Sequence, residues 1–110
     1  MTGIDLDQDR LSELASEIGA DDLRLVLDMF LAEARDAVAA LRDDLAAGDY
    51  AKSMHFLRSG ALNLGLSGLA EEARRVAHVP DAERLASVVG PELQRAIDAS
   101  RAALTKRLDA

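Results

Sequence analysis

From Leu23 to Leu45 the apolar side chains recur in steps of three and four: Leu23, Leu27, Phe30, Ala34, Ala37, Leu41 and Leu45, widened by Leu31 and Val38. Arg24, Asp28, Arg35 and Arg42 fall on the opposite side. This spacing is the repeat of an α-helix with one apolar face. It predicts a helix over roughly residues 22 to 47, about 39 Å long at 1.5 Å per residue, opened by Asp21 and stopped by Gly48. A long helix with one apolar stripe must lay that stripe against other helices, so the chain is directed toward a bundle.

The rest of the chain supplies the partners. Asp7 or Asp9 caps a short first helix carrying Leu11, Leu14 and Ile18, and Gly19 ends it. Asp49 caps a later helix with Ala51, Met54, Leu57 and Ala61 on one side and Lys52, His55, Ser59 and Asn63 on the other, closed after Leu64 by Gly65. Ser67 is expected to cap a fourth helix, with Glu71 and Glu72 near its positive end and Leu66, Leu69, Ala73 and Val76 turned inward. Pro80 ends that helix, Asp81 to Val89 form one or two short turns, and Gly90-Pro91 begins a last helix at the position proline tolerates best. Leu93, Ile97, Ser100, Leu104 and Leu108 line its inner side. The expected architecture is all-α: an antiparallel up-down four-helix bundle with a short extra N-terminal helix across one end, forming one domain over residues 1–110.

Composition narrows the chemistry. The apolar fraction of 49% is mostly Ala and Leu, with two Phe, one Tyr and two Pro, as suits helices. With no Cys there is neither a disulfide framework nor a thiolate metal site, and no His pair stands at metal spacing. No apolar run reaches the roughly 20 residues that span a bilayer, and Met1 to Asp5 lacks a secretory pattern, so a soluble cytoplasmic domain without a membrane partner is expected. The net charge of −7, with 13 basic residues scattered among 20 acidic ones, argues against nucleic acid, which needs a basic face. Acids such as Asp36, Asp43 and Asp44 read as solvated helix faces. There is no Gly-rich phosphate loop and no nucleophile–base–acid set, so the chain does not read as an enzyme with its own ATP site.

His55 stands out against this background. On the polar side of its helix the imidazole meets water and, as the free base, has a ring nitrogen able to attack phosphorus. Arg58, one turn on, can reach phosphoryl oxygens with its guanidinium. Ser59, on the same face, leaves room for a second protein to approach the ring. Gly60 is costly inside a helix, by about 1 kcal/mol relative to Ala, so close approach by a neighbouring helix or a partner is expected to offset it. Phe56 is expected outward beside His55, either as a docking anchor or leaning on a neighbouring helix. His78 is expected to interact with the C-terminal carbonyls of the fourth helix.

The segment from His55 to Gly65 resembles the phosphoacceptor helix of histidine-containing phosphotransfer (HPt) domains, whose pattern reads His-x-Leu-Lys-Gly-Ser followed by a small residue and Leu-Gly. His55, Leu57, Ala61, Leu64 and Gly65 match it, and Arg58 keeps the charge of the usual Lys. Ser59 stands where the family prefers Gly, and Gly60 where it prefers Ser. Ala77, 22 positions after the histidine, stands where several members hold a polar side chain that bonds the second ring nitrogen. The resemblance implies a phosphorelay carrier that takes a phosphoryl group at His55 and passes it on, with Arg58 stabilising phosphoryl oxygens. Lys52, Phe56, Ser59, Leu62, Asn63 and Arg74 would contact the partner. The implied partners are response-regulator receiver domains and a hybrid sensor histidine kinase. The carrier itself needs no cofactor, magnesium being expected on the receiver alone. The alternative is an adaptor that docks a regulator or kinase without chemistry.

Overall fold

The structure, a computed structural model, describes residues 4–78 and 86–108. Among the described residues it is all-α, with five helices: α1 (Gln8–Ile18), α2 (Ala20–Ala39), α3 (Ala47–Asn63), α4 (Ser67–Ala77) and α5 (Ala86–Leu108). The last four form the bundle and α1 is the short extra helix. α3 packs chiefly on α4, α5 lies against both α2 and α4, and α1 rests on α2.

Asp7 caps α1 as expected, its carboxylate accepting the Arg10 N–H at 3.0 Å. Gly19 alone links α1 to α2. Its φ of 87° is a conformation that side chains resist, and it lets the Gly19 N–H close α1 on the Ala15 carbonyl while its own carbonyl accepts the Leu23 N–H. The stripe of α2 is buried at Leu23, Leu27, Phe30, Leu31, Ala34 and Val38.

The long helix is shorter than its stripe suggests. α2 ends at Ala39 after 20 residues, about 30 Å, and residues 40–46 turn back. Asp43 and Asp44 would place two carboxylates at the negative end of a longer helix, an unfavourable position. Leu41 and Leu45 still pack partly on the core from the loop. Gly48 consequently does not stop α2 and Asp49 does not cap α3. Both lie in the first turn of α3, whose N-cap position is Ala46, with no side-chain bond.

Inside α3 the buried residues are Tyr50, Met54, Leu57 and Ala61. Ala51, expected inward, is exposed, because Tyr50 takes the inward position and its hydroxyl donates to the Val76 carbonyl at 2.7 Å. The helix closes at Gly65, φ 77°: the Leu66 N–H reaches the Ala61 carbonyl at 2.8 Å and the Gly65 N–H the Leu62 carbonyl at 3.3 Å. That pair of bonds is a Schellman closure, and it needs a left-handed residue at this place.

Ser67 is the first residue of α4 and not its cap; Leu66 holds the N-cap position without a side-chain bond. The residues before α1 cap this end of α4 instead, the Asp5 carbonyl accepting the Gly68 N–H at 2.9 Å. The approach is close: a Cβ on Gly68 would stand 2.2 Å from Ile4 Cγ1. Leu69, Ala73 and Val76 face inward from α4, and Leu66 is buried beside them.

α5 begins at Ala86, so Gly90-Pro91 lies inside it and does not start it. Buried Val89 extends the inner stripe of Leu93, Ile97, Ser100 and Leu104 by one turn, and that burial favours the earlier start. Pro91 is the sixth residue of α5, past the first turn, so its missing N–H forfeits one intrahelical bond. The expected end of the fourth helix at Pro80 and most of the turns expected over 81–89 lie outside the described residues. No described helix is long and apolar enough to cross a membrane.

Candidate functional site

His55 lies in the middle of α3 with its side chain exposed, while Met54 and Leu57 on either side are buried. Burying those two neighbours turns the imidazole outward. Its Nε2 lies 3.3 Å from Ser59 Oγ, one turn further along the same face. An open groove of about 670 Å³ runs beside the ring, lined by Phe30, Ala51, Lys52, His55, Phe56, Ser59 and Gly60.

The groove exists because α2 and α3 meet there through a glycine. A Cβ on Gly60 would stand 2.2 Å from Phe30 Cε1, so the neighbouring helix accounts for the glycine. Phe30 in turn meets Phe56, with ring centroids 5.8 Å apart and planes tilted by 45°. Phe56 leans on α2 through this contact and keeps 38% of its surface exposed.

Arg58 is exposed on α3 and near enough to α4 for its charge to act on Glu71. Arg74 is not free to face the groove, because its guanidinium is hydrogen-bonded to the Glu71 carboxylate through both Nε and Nη2. That bond holds the Glu71 carboxyl below its usual range; desolvation opposes it, and the charges of Arg74 and Arg58 add lesser downward effects. The same bond raises Arg74. Arg75 bonds Glu72 on its own helix and Glu92 on α5, tying α4 to α5.

Among the residues expected to meet a partner, Lys52, Phe56 and Ser59 share the groove with His55. Leu62 is 50% exposed but lies outside it. Asn63 also lies outside, at the end of α3, where its carbonyl accepts the Arg10 Nε–H at 2.9 Å. Phe30 lines the groove from a buried position on the α2 stripe, in keeping with its spacing, whereas Ala51, expected inward, is exposed along it. The helix-interior Gly60 is the sequence signal that a bulky side chain of a neighbouring helix stands opposite. Ala77 sits half-buried in the last turn of α4 and, being alanine, offers the ring no bond. His78 closes α4 through its backbone N–H to the Arg75 carbonyl at 3.3 Å; its ring makes no hydrogen bond among the described residues. Among the described residues no group of three or more His, Asp or Glu side chains could hold a metal ion.

The family model of the Hpt domain matches residues 25–103, which takes in most of α2, all of α3 and α4, most of α5 and the whole groove. No curated protein matches the chain, and no solved structure does.

Proposed function

The chain belongs to the Hpt domain family, and from that premise we propose that it is a phosphorelay carrier in which His55 takes a phosphoryl group from one receiver-domain aspartate and hands it to another. The observation that carries this reading is the exposed imidazole beside an open apolar groove, with the Arg58 cation one turn away. A ring nitrogen attacks phosphorus, the bond from phosphorus to the aspartate oxygen breaks, and the electron pair leaves with the carboxylate. Transfer of this kind asks the protein mainly for positioning and charge stabilisation. Arg58 supplies charge, and Phe56 with Lys52 supplies the docking edge. The receiver brings the magnesium, a hybrid sensor kinase is the upstream source, and the setting is cytoplasmic. The domain has no ATP chemistry of its own in this scheme.

The test is incubation of the intact chain with phosphorylated receiver domains, followed by mass spectrometry. The expected product gains one phosphoryl group that is lost in acid and survives base. His55→Ala should take up none while keeping its helical circular dichroism, since exposed substitutions rarely shift stability by more than about 0.5 kcal/mol. His78→Ala should label normally. Full labelling of His55→Ala would overturn the reading.

A further inference from the structure

The side chain hydrogen-bonded to the His55 ring is Ser59. Residues four apart meet on a helix surface, and Ser59 Oγ lies 3.3 Å from His55 Nε2. A helical serine commonly turns its hydroxyl back onto the carbonyl four residues earlier, as Ser100 does toward Ala96 at 2.8 Å. Ser59 does not. Among the described residues the imidazole is its one hydrogen-bond partner, and the reverse holds for His55.

The bond has two possible directions, because a hydroxyl both donates and accepts, and a neutral imidazole carries its proton on either nitrogen. Donation from Ser59 to Nε2 satisfies the hydroxyl proton, which has no other acceptor among the described residues. It also leaves the proton on Nδ1, whose N–H bonds water at this exposed position. We propose that Ser59 is the positioning residue of the site: its hydroxyl donates to Nε2, holding the ring and selecting the tautomer with a bare Nε2, whose lone pair becomes available to phosphorus when the hydroxyl turns away. The inference rests on the phosphoacceptor reading above and deepens it. It assigns to α3 itself the orienting role that Ala77 on α4 has no polar atom to perform.

Nε2 is the nitrogen farther from the helix, so it meets a docked partner with less crowding. On attack its lone pair forms the N–P bond, the P–O bond to aspartate breaks, and the electron pair leaves with the carboxylate. The proton already on Nδ1 stays there, so no proton has to move as the bond forms. Before the bond forms, the Ser59 hydroxyl gives up Nε2 by rotation between staggered positions and donates instead to a phosphoryl oxygen, a charge-assisted bond.

The test is 15N NMR of the His55 ring in the unphosphorylated chain in alkaline buffer. The native protein should show Nδ1 protonated and Nε2 bare. Ser59→Ala should move the population toward the Nε2-protonated form that a free imidazole prefers, and Ser59→Thr should restore the native pattern. Single-turnover transfer from a phosphorylated receiver domain should fall about threefold in Ser59→Ala, as the reactive fraction of rings falls, and recover in Ser59→Thr. An Nε2 protonated in the native chain, or tautomer populations indifferent to Ser59→Ala, would overturn the proposal whether or not His55 is labelled. A tautomer shift with an unchanged transfer rate would overturn the positioning role. If the ring responds to Ser59 as expected but His55 accepts no phosphoryl group, it is the phosphoacceptor reading that fails.

Discussion

Gly60 of α3 and the ring of Phe30 on α2 occupy one another's space: a Cβ added at residue 60 would stand 2.2 Å from Phe30 Cε1 and 2.9 Å from Cζ. The ring therefore lies where a methyl group would be, and it passes the contact on to Phe56 at the edge of the groove. The missing side chain of one residue sets where the wall beside His55 can stand.

Gly60→Ala should consequently destabilise the bundle although alanine is the better helix former. The propensity gain is about 1 kcal/mol at most, while forcing a methyl into a filled site typically costs about 1–3 kcal/mol. A net loss of about 1 kcal/mol is expected, read as a lower urea midpoint. Phe30→Leu in the same background should recover part of it. A Gly60→Ala protein more stable than the native one would show that the ring yields freely.

Tyr50 joins α3 to the last turn of α4 through its bond to the Val76 carbonyl. Tyr50→Phe should leave that buried carbonyl without the hydroxyl and lower stability by about 1 kcal/mol. Faster amide hydrogen exchange confined to the end of α4 would locate the effect; an unchanged urea midpoint would mean that water replaces the hydroxyl at no cost.

The contrast between Tyr50 and Ala51 shows what the sequence makes legible. Both are consistent with a three-and-four spacing to Met54, and only packing, through the Tyr50 hydroxyl and its carbonyl partner, decides which turns inward. Helix existence and burial of Leu23, Leu27, Leu57 and Leu93 follow from the period alone. Helix ends do not. The stripe runs on through Leu41 and Leu45 because both still touch the core, so periodicity reads a loop as helix. Ser67 looks like a cap until the Asp5 carbonyl, distant in sequence, takes the Gly68 N–H. At the site, the outward imidazole and its Arg58 and Ser59 neighbours are local features of one helix and can be read off it. Phe30 as the groove wall is a contact between two helices, which no spacing within either one encodes.

Phe56 has its exposed edge at the groove and its other side on Phe30. Phe56→Ala should weaken receiver binding by about 1 kcal/mol or more, roughly fivefold in Kd, as for an interface anchor. It should also lower stability through loss of the aromatic pair, by about 0.5–1.5 kcal/mol beyond the area exposed. Titration calorimetry and urea unfolding separate the two. An unchanged Kd would leave the ring a purely structural role.

Glu71 provides a pH-dependent readout of the cations around the site. Hydrogen bonding from Arg74, then the charges of Arg74 and Arg58, depress its folded-state titration below the ordinary 4.5. A depressed carboxyl contributes stability that is present above its unfolded value and lost as pH falls through the folded one, so the contribution disappears only in acid below about 4.5. The group is exposed, and the effect on unfolding is therefore small. NMR titration should show Glu71 moving up markedly in Arg74→Ala and less in Arg58→Ala. No movement in Arg58→Ala would place that guanidinium away from α4.

Arg58 and Lys52 both lie three residues from His55 on α3, and Arg58, unlike Arg74, has no carboxylate bonded to it among the described residues. If it stabilises phosphoryl oxygens during transfer, the property that matters is charge, because oxygens shifting between two proteins present no fixed planar pair for a guanidinium fork. Arg58→Lys should then keep most of the transfer rate, and Arg58→Glu should slow it sharply by setting an anion beside the incoming phosphoryl group. Both substitutions are at an exposed position and should leave stability within about 0.5 kcal/mol, so a slow Arg58→Glu transfer would not reflect unfolding. Rapid-quench measurement with a phosphorylated receiver domain distinguishes the outcomes. Native-rate transfer by Arg58→Glu would make Arg58 a solvated surface residue and move the source of positive potential to Lys52, the cation that lines the groove with His55.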